Sequence, residues 1–342
     1  MILRLVISGI LALFCTASAA AQDVRVRGGS GTAPTLTNGL EAPVFARGLG
    51  DIADLAATED GTVFAADRRS GRIWVLRDRA LDGRADTVQA LAQRFDAPSS
   101  LATRGEALFV SDHSGVWRLQ GGGTPQLIAP FGNAGAGEGP HPITVDARGE
   151  LQLALNMPDG TAQRMTIDTD TGRATRIGTQ ALRLRAFAKS DGGAPTLWLG
   201  ESAGGEAFLG GLAEPAALGG PVRAAWVDAQ LGRIILASSG GVAVRNVTLL
   251  GVDEAVQPLA GGFGAGAVLV DRRGILVAVP GDGTVRVLRP ERAGPPEAQT
   301  PQAPAPEPAL DPELLILRGS GIDRASVYDD IRDAVPEEAD SE

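Results

Sequence analysis

The sequence predicts an all-β fold, a six-bladed β-propeller followed by a disordered, Pro-rich, acidic C-terminal tail. Three observations carry this. A glycine opening a short apolar strand recurs at Gly61, Gly105, Gly149, Gly193, Gly232 and Gly274, in steps of 44, 44, 44, 39 and 42 residues. That is the period of a propeller blade. The segments that follow (62–67, 106–112, 150–156, 194–200, 233–238 and 275–280) are apolar and strand-like, and no helical periodicity lies between them. Finally, eight prolines fall within the 23 residues from Pro290 to Pro312, a run that is extended rather than packed.

The start of the chain has the pattern of an export signal. Arg4 supplies the positive end, Leu5 to Phe14 an apolar run, and Ala17 to Gln22 the small residues that suit cleavage after Ala21, or after Ala19 as second choice. The run is too short to span a bilayer and no later stretch does better, so no membrane span is expected. Cys15 is the only cysteine and falls inside the signal, behind Leu13 and Phe14, which do not suit lipid attachment. The mature chain would carry no thiol, which excludes disulfides, cysteine-zinc sites and cysteine nucleophiles. A periplasmic or secreted location follows. The formal charge is −10, of which −9 lies in residues 291–342. The nearly neutral repeat body predicts no nucleic-acid partner. Lys189 is the only lysine, which reads as a compositional bias.

Taken in order, 1–21 is the signal and 22–41 an N-terminal arm or closing strand, with Val24 to Arg27 alternating. The propeller runs over 42–290. Its first blade covers 42–78, with hairpin turns at Asp60-Gly61 and Ser70-Gly71, where glycine accepts a positive φ. The second runs from Phe95 to Leu119, the third over 127–168, the fourth over 173–212, the fifth over 216–249 and the sixth over 258–290. Trp74 and Trp117 hold equivalent places and are expected to fill gaps between blades. Residues 291–312 form a Pro-rich linker, and 313–342 an acidic tail in which Ser320 to Asp323 could open a short helix. The tail is a candidate tether or partner-binding segment. The Gly-rich run 131–139 lacks a Lys-Ser/Thr ending and a following helix, so it is not a phosphate loop. It reads as a loop over the barrel mouth, with Asn133, Glu138 and His141 on the rim.

Phe45 to Leu49, Asp60-Gly61, Ala66-Asp67, Gly71 to Asp78, Asp82 to Asp86, Pro98, Leu101, Leu108 to Val110 and Trp117-Arg118 form a pattern. It resembles the soluble pyrroloquinoline-quinone (PQQ) sugar dehydrogenases, the glucose/sorbosone dehydrogenase group. The resemblance covers 42–120 well and 121–290 in outline, and the plain blade motif is shared with NHL-type and lactonase-type six-bladed propellers. It implies PQQ and calcium at the top of the barrel and a histidine base that takes a proton from a sugar hydroxyl. His141 is the candidate base. It lies 8 residues before Gly149, three fewer than the family's spacing. His113 is the other histidine of the mature chain, in a turn.

In the family's stretch at the fifth blade an arginine contacts the quinone. Here Pro221, Ala225 and Trp226 match that stretch, but the arginine position is Gly219. Arg223, four residues on, joins Asn133 and Glu138 as a candidate cofactor contact. Asp78, Asp82 and Asp86, with Gly83, resemble a calcium loop with acids at positions 1, 5 and 9. Ala80 and Gln89 stand where two more ligands are wanted. The expected function is a non-catalytic module binding a small molecule or a protein at the propeller mouth. The alternatives are a divergent PQQ-dependent sugar or alcohol oxidoreductase using His141 and a metal-dependent lactonase-type hydrolase.

Overall fold

The computed structural model describes residues 34–37, 39–121, 123–132, 136–137, 139–190, 196–228, 231–248 and 251–291. Among them there is no α-helix, and the chain is an all-β propeller. The strands form six sheets, labelled I to VI in chain order. Sheet I contains Ile52–Ala57, Val63–Asp67, Arg72–Arg77 and Thr87–Ala90. Sheet II contains Ser100–Arg104, Ala107–Ser111, Gly115–Leu119 and Gln126–Pro130. Sheet III contains Ile143–Val145, Leu151–Asn156, Ala162–Ile167 and Ala174–Gln180. Sheet IV contains Arg183–Phe187, Trp198–Glu201, Ala207–Gly210 and Ala216–Ala217. Sheet V is built on Val222–Asp228, Arg233–Ser238, Gly241–Thr248 and Gln257–Gly261, and sheet VI on Ala267–Asp271, Gly274–Val279 and Thr284–Pro290.

The first strand of each sheet packs beside the first strand of the next, and that of sheet VI packs beside that of sheet I. The ring is closed from the N-terminal side. Val44–Ala46 pairs antiparallel with Thr284–Pro290 as the outer strand of sheet VI, and Leu40–Glu41 pairs with the end of the same strand. Arg289 strengthens this edge by an ion pair with Glu41 at 2.5 Å. Closure in this way covers the outer hydrogen-bonding edge of Thr284–Pro290, which would otherwise be open to another chain.

Two of the recurrent glycines show why the turns need them. Gly61 (φ +84°) and Gly149 (φ +77°) sit in the left-handed region where a side chain is strained. Gly193 lies outside the described residues. An Asp or Asn then ends the second strand of the first three sheets, or directly follows it. Asp67 Oδ1 accepts from the backbone N–H of Asp51, Arg69 and Ser70. Asp112 accepts from those of Asp96, Ser114 and Gly115. Each carboxylate thus closes its own turn and fixes the segment entering its sheet. The core lies between sheets rather than within one. Ala66, Ile73, Phe95, Leu101 and Val110 join sheets I and II. Phe109, Ile143, Leu151 and Leu153 join II and III. Leu199, Leu209, Ala225 and Ile234 join IV and V. Trp74 donates Nε1–H to the Leu49 carbonyl at 2.8 Å, and Trp117 meets Phe95 edge-on at 6.0 Å, so both tryptophans pack as expected.

Two expectations need correction. Val44–Ala46 belongs to sheet VI, not to the first blade. The arm at 22–41 does supply closing pairs: Thr35–Leu36 pairs with Gln257–Gly261 of sheet V and Leu40–Glu41 with sheet VI, while Val24 to Arg27 lie outside the described residues. The strands at 126–130, 174–180, 216–217 and 257–261 complete the sheets that precede them rather than opening the next. An outer strand is largely exposed, so its residue pattern does not say which sheet it joins. The chain divides after Glu291 into two units. The second, Arg292–Glu342, with the Pro-rich run and the acidic tail, lies outside the described residues.

Candidate functional site

A cavity of about 470 Å³ opens along the axis, lined by residues in or beside all six sheets. Its charged residues are Asp51, Asp54, Arg68, Arg185, Glu201 and Arg223. Asp54 lies at the centre of a polar network. Its Oδ1 accepts from the Leu55 N–H at 2.8 Å and from Lys189 Nζ at 2.7 Å, while Oδ2 accepts from the Leu101 N–H at 2.7 Å and from Ser100 Oγ at 3.1 Å. Lys189 also donates to the Leu55 carbonyl. It reaches this place because Lys189–Ser190 forms an extra strand, parallel to Val222–Asp228 on the inner edge of sheet V. That edge faces the axis. The ammonium crosses from there to sheet I, and both side chains of the pair are about seven-eighths buried, at 15% and 13% exposure. The pair ties sheet V to sheet I, with Asp54 on the cavity wall.

On the other wall, Arg185 Nε forms an ion pair with Glu201. Arg68 and Arg223 are exposed to the cavity and, among the described residues, have no ion-pair partner. The sequence reading picked Arg223 and missed Arg68, Arg185, Asp54 and Lys189. Lys189 did leave a signal. In a chain that otherwise uses arginine for every basic side chain, one lysine marks a place where a compact ammonium is wanted instead of a planar fork.

His141 is placed differently from expectation. It is 2% exposed, absent from the cavity lining, and stacked edge-on against Phe131 at 4.7 Å between ring centres. Its Nδ1 accepts the Asn156 backbone N–H at 3.2 Å, which requires that nitrogen to be unprotonated. Burial, with a smaller contribution from the charge of His113, lowers its pKa from 6.5 to about 4. The native state therefore refuses a proton that the unfolded chain takes up below pH 6.5. This contribution to stability is complete above pH 6.5 and is lost as the pH falls toward 4. It amounts to on the order of 1–3 kcal/mol. Urea unfolding at pH 7.5 and pH 4.5 should show a smaller acid loss in His141→Gln than in the parent chain; an equal loss would assign the acid sensitivity to other groups.

The three aspartates of the calcium candidate do not converge. Asp78, 6% exposed, accepts from the backbone N–H groups of Asp82 and Gly83 at 3.2 and 3.0 Å. Asp82 accepts from the Arg84 N–H at 2.8 Å and Asp86 from the Arg79 N–H at 2.7 Å. These carboxylates brace their own loop. Among the described residues no group of three or more His, Cys, Asp or Glu side chains is placed to hold a metal ion. Asn133 and Glu138 lie outside the described residues. Gly219 stands in a turn at φ +66°, with no atom within 4 Å of where a Cβ would project. The PQQ and calcium that the resemblance implies therefore do not fit the described residues. The histidine is buried away from the cavity, the quinone-contacting arginine is a turn glycine, and the acids are committed to backbone.

No family model matches the chain, and no curated protein does. Solved structures do match. A gluconolactonase from Xanthomonas campestris aligns with TM-score 0.54 at 15% identity, covering 76% of this chain and 98% of that one. A Thermus thermophilus protein assigned as an oxidoreductase (glucose dehydrogenase) aligns with TM-score 0.54 at 17% identity, covering 73% and 100%. The calcium structure of a Trichoderma reesei family AA12 carbohydrate-active enzyme aligns with TM-score 0.54 at 11% identity, covering 76% and 97%. At these identities the likeness establishes architecture alone, and the chain shares the all-β propeller fold of these structures.

Proposed function

We propose that this chain is an exported, six-bladed binding propeller that takes a small polar ligand into its axial cavity. The observation that carries this reading is the cavity itself, about 470 Å³, lined from around the whole ring and carrying exposed charged side chains. A closed apolar core would spend nothing on such groups, because burying an uncompensated charge is costly. Six inner strands packed in a closed cycle support the blade number. The Arg4 to Gln22 pattern supports export. The acidic tail acts as a tether or partner segment. PQQ-dependent oxidation at His141 is the weaker reading, since that imidazole is walled off from the cavity.

The test is thermal and spectroscopic titration of the purified protein with PQQ plus calcium, and separately with neutral and charged sugars and polyols. A ligand present at 100 times its dissociation constant should stabilise the native state by about 2.7 kcal/mol. We expect stabilisation by a small polar ligand and none by PQQ plus calcium. A raised melting point with a shifted quinone spectrum would overturn the binding-module reading in favour of the oxidoreductase.

A further inference from the structure

The geometry points to a ligand with one negative charge, a small hydroxylated organic anion, and this rests on the axial cavity being the ligand site. The starting point is a repeated break in strand pairing. On the inner strand of sheet I, Ile52 pairs with Asp67 and Asp54 with Ala66, so Ala53 is passed over. On sheet IV, Leu184 pairs with Gly200 and Ala186 with Leu199, passing over Arg185. On sheet V, Val222 pairs with Ser238 and Ala224 with Ala237, passing over Arg223. All three passed-over residues line the cavity. A bulge frees one residue from strict alternation and re-aims its side chain, a device concentrated at barrel rims and beside binding sites.

The residues at these bulges differ in a way that suits a ligand. Neighbouring sheets IV and V both carry arginine there. Sheet I carries alanine, which leaves the space open. Sheet I adds Arg68 from the turn after its second strand instead.

The charge balance then selects the ligand. Glu201 is paired with Arg185, and Asp54 with Lys189. Among the described lining residues that leaves the guanidinium groups of Arg68 and Arg223 against the carboxylate of Asp51. The balance is one positive charge in the recess, where a single oxyanion is favoured. A guanidinium presents paired N–H donors that match a carboxylate or a phosphate. Asp51 and the Ser99 hydroxyl line the same cavity and offer hydrogen-bond partners for hydroxyl groups.

Calorimetric titration of the whole purified protein tests this. The probes are glycolate, lactate and gluconate, their uncharged counterparts ethylene glycol, propane-1,2-diol and glucitol, and inorganic phosphate. At least one carboxylate should bind 10-fold or more tightly than its uncharged counterpart. That preference should shrink with added salt. Arg223→Ala should lower the affinity at least 10-fold with an unchanged melting point, because Arg223 has no ion-pair partner among the described residues. Binding of phosphate alone, equally sensitive to Arg223→Ala, would support the anion site and name phosphate as its source. Equal binding of charged and uncharged probes, undiminished in Arg223→Ala but abolished by the cavity-filling Ala53→Trp, would overturn the anion assignment and leave the cavity as a ligand site. Binding that survives Ala53→Trp would overturn the cavity reading itself. Failure of every probe to bind the native protein would overturn the anion assignment.

Discussion

Lys189→Met should lower the free energy of unfolding by about 3 kcal/mol, read as a lower urea midpoint at unchanged slope. Methionine keeps most of the aliphatic stem, so the loss is electrostatic more than steric. Removing the ammonium leaves the Asp54 carboxylate, 13% exposed, held only by two backbone N–H groups and a serine hydroxyl. Neutral donors stabilise a buried carboxylate less than an ammonium at 2.7 Å does. The Leu55 carbonyl loses the ammonium donor in the same step. Asp54→Asn placed in the Lys189→Met chain should recover part of the loss, because it removes the stranded charge while keeping a polar group at the site. A double-mutant cycle should return a coupling energy of about 1–3 kcal/mol. A cost below about 0.5 kcal/mol for Lys189→Met would mean that the pair is screened as surface pairs are, and that the link between sheets I and V is not a structural element.

The second large effect is expected at Asn156, which is 1% exposed at the end of the second strand of sheet III. Its Nδ2 donates to the carbonyls of Pro140 and Leu184 at 2.5 and 2.8 Å, and its Oδ1 accepts the Leu184 N–H at 2.8 Å. One side chain therefore fastens sheet III to the inner strand of sheet IV and to the segment before sheet III. Asn156→Ala would strand the buried N–H and C=O of Leu184 and take the donor from the half-buried Pro140 carbonyl. The expected cost is about 2–4 kcal/mol, since each unsatisfied buried group costs about 1–3 kcal/mol and part of that is relieved by relaxation. Asn156→Asp separates hydrogen bonding from packing. The carboxylate has nearly the same shape, but it would face two carbonyl oxygens without a proton to give. At pH 7 it should cost at least as much as alanine. A near-neutral Asn156→Asp would show that water or a shifted backbone satisfies these groups.

The contrast between Asn156 and its equivalents explains what could be read from the sequence. Asp67, Asp112 and Asn156 follow their turn glycines at nearly the same distance, and that echo carried the strand-and-turn framework. The turn bonds of the two aspartates are local, so the residues that specify them are neighbours in the chain. Contacts between sheets are not local, and there the sequence was weaker. Val44–Ala46 looked like the start of the first blade because the apolar run beside it continues into Ile52–Ala57, yet its partner lies at Val285 and Arg286. The bulges at Arg185 and Arg223 escaped notice because a bulge disturbs the alternation from which a strand's faces are read. His141 was an attractive base because it is rare, but rarity carries no information about burial. Lys189 was rarer still and went unread, because its significance appears only once Asp54 is brought opposite it.

The pairing of Val44–Ala46 with Val285 and Arg286 also sets an order of events. The first strand of the ring must wait for the last. A chain made or exported from its N-terminus presents residues 44–46 long before residues 284–290, so this strand stays unpaired while five sheets and part of the sixth assemble. Joining such distant segments is slow, because the entropy of closing the intervening loop must be overcome before the contact stabilises anything. During that interval the outer edge of Thr284–Pro290 is open to any other strand that reaches it. A second molecule at the same stage carries the same free strand, which makes reciprocal exchange of residues 40–46 between two chains the characteristic misassembly of this fold at high concentration.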